Sequence, residues 1–146
     1  LLRLLPERDP HISLYEALCL IVDHLDEPQI AAPLLVRFEL QMLAELGFGL
    51  DLGECAATGD AEELVYVSPK SGRAVSRAAG EPWKMQLLTL PGFLNGRGTV
   101  ANADDIVAGF TLTEFFLLRR VYEPRGLPIP EARNSFLASL ARANAA

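Results

Sequence analysis

Four positions near the middle of the chain carry the most suggestive spacing. Cys55 is followed three residues later by Thr58, and Ser76 three residues later by Ala79, with a strand-turn-strand pattern between the two pairs. The outline is that of one Cys-x-x-Cys pair facing another, the arrangement that holds structural zinc with four thiolates or imidazoles. Only Cys55 keeps its sulfur. No metal or other cofactor is therefore expected, and packing must hold the hairpin instead.

The remaining reactive side chains are equally sparse. Cys55 lies in a loop and reads as the more accessible cysteine, but a thiol nucleophile needs a nearby base and an oxyanion site. Neither His11 nor His24 is placed by sequence to serve it. Cys19 falls on the apolar stripe of a helix, where a free thiol behaves as a small core hydrophobe. His24 stands among Asp23, Asp26 and Glu27, a mixture of nitrogen and oxygen ligands, yet only Asp23 and Glu27 share a helix face; a solvated acidic helix end competes with a metal site. His11 reads as a surface residue. No G-x-S-x-G or P-loop pattern occurs, and Gly92-Phe93-Leu94-Asn95-Gly96-Arg97-Gly98 does not join a strand to a helix in a βαβ unit. The chain is not expected to be an enzyme.

Cations offer a different chemistry. The net charge of −6 argues against a simple nucleic-acid binder, but it conceals a split. Residues 1–67 balance at −10 and residues 68–146 at +4, with Arg119, Arg120, Arg125 and Arg133 gathered late in the chain. Those four form either an ordinary solvated face or a track for phosphates, whose affinity would be salt-dependent and sequence-independent. Arg37 is the sole base between Arg8 and Lys70. It is either the partner of a local residue such as Glu39 or a cation held out for a ligand.

The elements that must position these groups are mostly helical. Asp9-Pro10 and Ser13-Leu14-Tyr15-Glu16 are overlapping helix starts, and Ile12, Tyr15, Leu18/Cys19, Val22 and Leu25 then recur as one face. Asp26-Glu27-Pro28 ends that helix. A second is predicted over about 32–46, burying Leu35, Phe38, Met42 and Leu46 and stopping at Gly47. Residues 63–67 and 73–76 read as strands around the 68–72 turn, and Leu87-Leu88-Thr89-Leu90 as a short strand or helical turn. Helical period returns at Asn102 with Ile106, Phe110, Leu117 and Val121 on one face, and Thr111-Leu112-Thr113-Glu114 suggests a break near Gly109. After the Gly126–Pro130 loop a last helix carries Phe136, Leu137 and Leu140. The expected fold is mainly α, a bundle of four to five helices with a small β-hairpin insertion at about 50–98. The longest apolar run, Ala17 to Val22, is far short of a membrane span. Two cysteines make no disulfide framework, so a reducing cytoplasm is the expected setting. The chain opens without Met and in the middle of an apolar pattern, as a piece of a longer protein would.

This layout resembles the C-terminal region of the bacterial recombination-repair family RecO. Arg37-Phe38-Glu39-Leu40-Gln41-Met42-Leu43-Ala44-Glu45-Leu46-Gly47-Phe48 is similar to that family's R-F-E-L helix. Leu52-Gly53-Glu54-Cys55-Ala56-Ala57-Thr58-Gly59 stands at its cysteine-bearing turn. Tyr66–Ser76 and Leu112–Arg119 look like the alphaproteobacterial branch, and the similarity runs over essentially all of 1–146.

The resemblance implies a non-enzymatic mediator of DNA repair and recombination in the RecF pathway. Its helical domain would dock the acidic, Phe-ending tail of the single-stranded-DNA-binding protein and assist strand annealing and RecA loading. RecR and single-stranded DNA are implied partners of the full-length protein, and the family's N-terminal OB-fold is absent from this chain. Cys55, Thr58, Ser76 and Ala79 would be a degenerate zinc finger. Leu34, Arg37 and Leu40 would form the tail-binding pocket, an apolar wall around a cation for a terminal carboxylate. A structural or scaffold module without a ligand is the competing reading, and a thiol enzyme using Cys55 is a third.

Overall fold

The computed structural model describes residues 12–24, 26–94, 102–131, 133–135 and 137–139. Helix α1 (Ile12–Asp23) and helix α2 (Pro28–Glu45) form an antiparallel hairpin around the Asp26-Glu27-Pro28 stop. Proline at the first helical position begins α2, earlier than the predicted residue 32, because its missing N–H is unneeded there. The other end closes as expected. Gly47 takes φ +90°, the Phe48 N–H donates to the Leu43 carbonyl at 2.8 Å, and the Gly47 N–H donates to the Ala44 carbonyl at 3.1 Å. That pair of bonds is a Schellman stop.

The apolar face of α1 keeps Leu18 of the predicted stripe but is otherwise shifted. Tyr15 and Val22 are 69% and 56% exposed and Cys19 is also exposed, whereas Ala17, Leu18 and Ile21 pack against Phe38 and Met42. Apolar residues line several sides of this helix, so periodicity alone could not choose between overlapping stripes. Leu25 and His11 lie outside the described residues. Helix α2 is buried on more than one side: Ala32 and Val36 meet Phe93 and Phe110, Leu43 meets the sheet side of the core, and Glu39 is fully buried.

The middle forms a three-stranded antiparallel sheet in the order β2-β1-β3, with β1 (Leu64–Val67), β2 (Ala74–Ser76) and β3 (Leu88–Thr89). The 87–90 segment thus joins the predicted hairpin as a strand. Gly72 closes the turn at φ +68°, and a side chain there would press into Leu50. The short helix α3 (Arg77–Gly80) is capped by the Ser76 hydroxyl and runs into an exposed 3-10 turn, Glu81–Gln86. Leu64, Val67 and Ala74 bury against Leu112, Phe116 and Leu117 of helix α4 (Ala103–Leu117), the support that a lone hairpin lacks.

Helix α4 starts with a reciprocal capping box between Asn102 and Asp105. It runs unbroken through Gly109, where the expectation was a break. Glycine serves closeness there: an added Cβ would sit 3.1 Å from Val36 and 3.2 Å from Phe93. The regular spiral instead widens into a π turn over Leu118–Tyr122 just before Pro124. The predicted face of Ile106, Phe110, Leu117 and Val121 is buried throughout. The last helix is seen at 131, 133–135 and 137–139, where Leu137 packs on the Val36–Phe110 cluster; Phe136 and Leu140 lie outside the described residues. No helix among the described residues is long and apolar enough to cross a membrane.

Gly80 carries the tightest approach in the insertion, since an added Cβ would lie 2.4 Å from the Tyr66 ring. Gly80→Ala is expected to destabilise the fold by about 1–3 kcal/mol through overpacking. Urea unfolding checks this, and an unchanged midpoint would mean that α3 does not rest on Tyr66.

Candidate functional site

The four finger positions do converge. The Ser76 N–H donates to the Cys55 sulfur at 3.2 Å, the Cys55 sulfur and Ser76 hydroxyl lie 3.6 Å apart, and the Ala79 N–H donates to the Ser76 hydroxyl at 3.3 Å. Thr58 completes the group with a hydroxyl bond to Cys55. Cys55 is 1% exposed, which corrects its reading as the accessible cysteine; the two thiols have exchanged places, since Cys19 is the exposed one. One sulfur, two hydroxyls and a methyl do not make the four soft ligands of a structural zinc site. Burial alone would raise the Cys55 thiol, but hydrogen bonds from Thr58, Ser76 and the Ala57 backbone outweigh it and bring its pKa from the ordinary 9.0 down to about 6. The sulfur thus gathers N–H and O–H donors and pins the start of the insertion to the end of β2.

Arg133, expected with Arg119, Arg120 and Arg125 on a solvated or DNA-facing surface, is inside. It is 7% exposed and grips the fully buried Glu39 with two bonds, Nε to Oε2 at 2.7 Å and Nη2 to Oε1 at 3.1 Å. The same guanidinium donates to the Phe110 carbonyl at 3.2 Å and to Glu114 at 3.4 Å, and lies over the Phe110 ring. The Thr113 hydroxyl donates to Glu39 Oε1 at 2.8 Å. Thr113 therefore serves the core and does not begin a helix. Tyr122 projects its hydroxyl into this region with no hydrogen-bond partner among the described residues. Burial and the Glu39 carboxylate raise its pKa, against the Arg133 cation, which lowers it.

With Glu39 turned inward, Arg37 faces solvent on the opposite side of α2. Its guanidinium donates to the Phe93 carbonyl at 2.9 Å and stands 5.9 Å from the Phe93 ring centroid. Among the described residues no carboxylate pairs with it, and the Phe93 carbonyl is the one hydrogen-bond acceptor its five donors meet. Leu34 and Leu40 flank it, both half-buried, Leu34 leaning on the Ile21–Phe38–Met42 cluster and Leu40 on the sheet side of the core. The other late cations remain at the surface. Arg119 is exposed and stacks over Phe115, Arg125 is exposed, and half-buried Arg120 donates to the Lys70 carbonyl at 2.9 Å. The π turn sets this last contact, joining bundle and insertion. His24 closes the end of α1 through the Leu20 carbonyl at 2.8 Å, and no group of three metal-ligating side chains occurs among the described residues. Trp83 and Met85 are 60% and 91% exposed on the 3-10 turn, a placement that periodicity does not reveal. A tryptophan outside any apolar period, beside Pro82 and Lys84, was the available signal.

Arg133→Met should cost about 3–5 kcal/mol, because it leaves Glu39 charged, buried and unpaired. Tyr122→Phe should change stability by no more than about 1 kcal/mol, since its hydroxyl loses no partner. Urea unfolding of both variants checks the pair, and equal losses would contradict the network. The Cys55 thiolate stabilises the fold fully above pH 9, and this contribution is lost as pH falls through about 6. Melting temperature should therefore rise between pH 5 and 9 by more in the parent than in Cys55→Ser. Parallel pH profiles would show that the folded thiol is not perturbed.

Comparison with known proteins meets this architecture. The family model described as Recombination protein O C terminal matches residues 1–127. The protein named DNA repair protein RecO of Brucella abortus (strain 2308) is 57% identical over 143 residues, which is 97% of this chain and 58% of that relative. Its namesake in Sinorhizobium medicae (strain WSM419) is 57% identical over 143 residues, covering 98% of this chain and 57% of the relative. The one in Methylobacterium nodulans is 59% identical over 143 residues, covering 94% of this chain and 58% of the relative. The chain thus spans well under two thirds of the length of the curated relatives it matches. No solved structure matches it. A helical core carrying the Arg37–Phe48 motif and a cysteine turn in the expected place, matched by the family model over most of its length, belongs to the RecO family.

Proposed function

We propose that this chain serves DNA repair as a docking domain, receiving on α2 the acidic, Phe-ending tail of the single-stranded-DNA-binding protein. The observation that carries the reading is Arg37, exposed, held in place by the Phe93 carbonyl and without a carboxylate partner among the described residues. A terminal carboxylate would take the open donors of this guanidinium, and the aromatic end of the tail would rest against Leu34 or Leu40. Glu39 does not compete for Arg37, because two-residue spacing puts it on the opposite side of α2, where it pairs with Arg133 in the core. Arg119, Arg120 and Arg125 would contact single-stranded DNA, and the domain would assist strand annealing and RecA loading together with RecR. Membership of a family whose relatives are named DNA repair protein RecO supports the repair role.

The test is titration of the 146-residue chain with an acidic peptide ending in Phe and with the same peptide lacking that residue. Only the first should bind. Arg37→Ala should weaken it by about tenfold or more, the loss of a charged hydrogen-bond pair. Equal affinity for both peptides, or an Arg37→Ala variant that binds as the parent does, would remove the docking reading.

A further inference from the structure

We infer that the 3-10 turn Glu81–Gln86 is a base-stacking site for single-stranded nucleic acid, with Trp83 as the platform and Lys84 and Lys70 meeting the phosphates. The inference rests on the DNA-repair reading above and assigns it a surface other than the one around Arg37.

All six residues of the turn are exposed, yet its position is well held. Gly80 lets the preceding helix close onto the Tyr66 ring, and Leu87 leads directly into β3. Glu81 accepts a hydrogen bond from the Tyr66 hydroxyl at 3.2 Å and one from Lys84 at 3.3 Å, tying the turn to β1. An indole 60% exposed and a methionine 91% exposed on so firm a turn bury little of their own surface in the fold. An exposed tryptophan on a held turn leaves a large apolar ring face available to a partner.

Charge selects the occupant. Lys70, Arg73 and Lys84 of the hairpin turn and the 3-10 turn stand against Glu81 and Asp51, which pairs with Arg73 at 3.8 Å, while Arg77 lies at the other end of the hairpin beside Glu63. The acids before β1 lie elsewhere: Asp60, Glu62 and Glu63 share a shallow cleft with Ser76 and Ala78, at the end of the hairpin away from its turn. Because Leu88 pairs with Val67, the Trp83 turn enters the sheet at the end where Lys70 sits. Arg120 reaches that same place from the bundle through the Lys70 carbonyl. The Lys84–Glu81 pair, with side chains 56% and 57% exposed, is a weak surface pair that a phosphate can displace. A flat aromatic beside lysines is what an unpaired base needs, since every base has a π face and every linkage a negative charge. In a duplex the bases are already stacked, so the same turn offers it little.

Trp83 is the sole tryptophan of the chain, so its fluorescence reports this site alone. Titration of the full chain with an oligothymidylate of about 15 nucleotides should quench the indole, and added salt should reverse the quenching. A duplex of equal length should leave the indole unchanged. With a labelled oligothymidylate read by anisotropy, Trp83→Leu should bind about tenfold more weakly although it stays apolar, and Trp83→Phe should retain most of the affinity. Lys84→Gln should lower the salt slope by about one. Binding of the acidic Phe-ending peptide at Arg37 should be unaffected by all three changes, which separates failure of this site from failure of the docking reading. An oligothymidylate that does not bind, binds without quenching, or binds Trp83→Leu as it binds the parent would overturn the inference. The last two results would leave Trp83 as an anchor for an apolar protein surface.

Discussion

The buried pair of Glu39 and Arg133 organises the helical half of this protein. A carboxylate with no solvent contact must be matched by a cation and its remaining lone pairs filled, or its desolvation outweighs any attraction. Arg133 supplies two bonds, Thr113 a third, and the Phe110 carbonyl takes one of the guanidinium's other donors. Three segments far apart in sequence are thereby held in one arrangement: the middle of α2, the middle of α4 and the last helical stretch. Gly109 eases it, because a side chain there would crowd Val36 and Phe93 at 3.1–3.2 Å.

The same helix also shapes the surface. Helix spacing sends Glu39 inward to this pair and Arg37, two residues away, to the opposite side, so α2 turns a cation outward between apolar neighbours. The insertion is governed by a smaller device of the same kind. Cys55 and Ser76 exchange hydrogen bonds across the foot of the hairpin, and the sulfur collects donors from the backbone and from Thr58. Directional polar contacts, and not apolar packing alone, set the start of the hairpin relative to its end. From there Gly80 and Tyr66 present the Trp83 turn to solvent.

Much of the architecture is legible in residue order. The C-terminal end of α2, the hairpin, the start of α4 at Asn102 and the Gly126 turn all follow from local rules about caps and glycine. The buried face of α4 follows from period alone. The Arg37–Phe48 motif and the cysteine turn point to the family by residue order alone. What stayed hidden was the side to which a residue turns when several sides are apolar. Tyr15, Cys19 and Val22 fit one stripe of α1, and Ala17, Leu18 and Ile21 fit another. Only contact with α2 decides between them.

Local chemistry thus determined the element order, the capping residues, the absence of a complete zinc ligand set and the acidic-to-basic drift along the chain, because each depends on neighbours in sequence. Tertiary structure decided where charge resides. Arg133 reads as one of several late surface cations, yet it is the one that a buried carboxylate 94 residues away takes into the core. Cys55 reads as an exposed loop thiol and is sealed by a strand that begins almost twenty residues later. Burial and pairing depend on which segments meet, and a pattern of spacings contains no term for that.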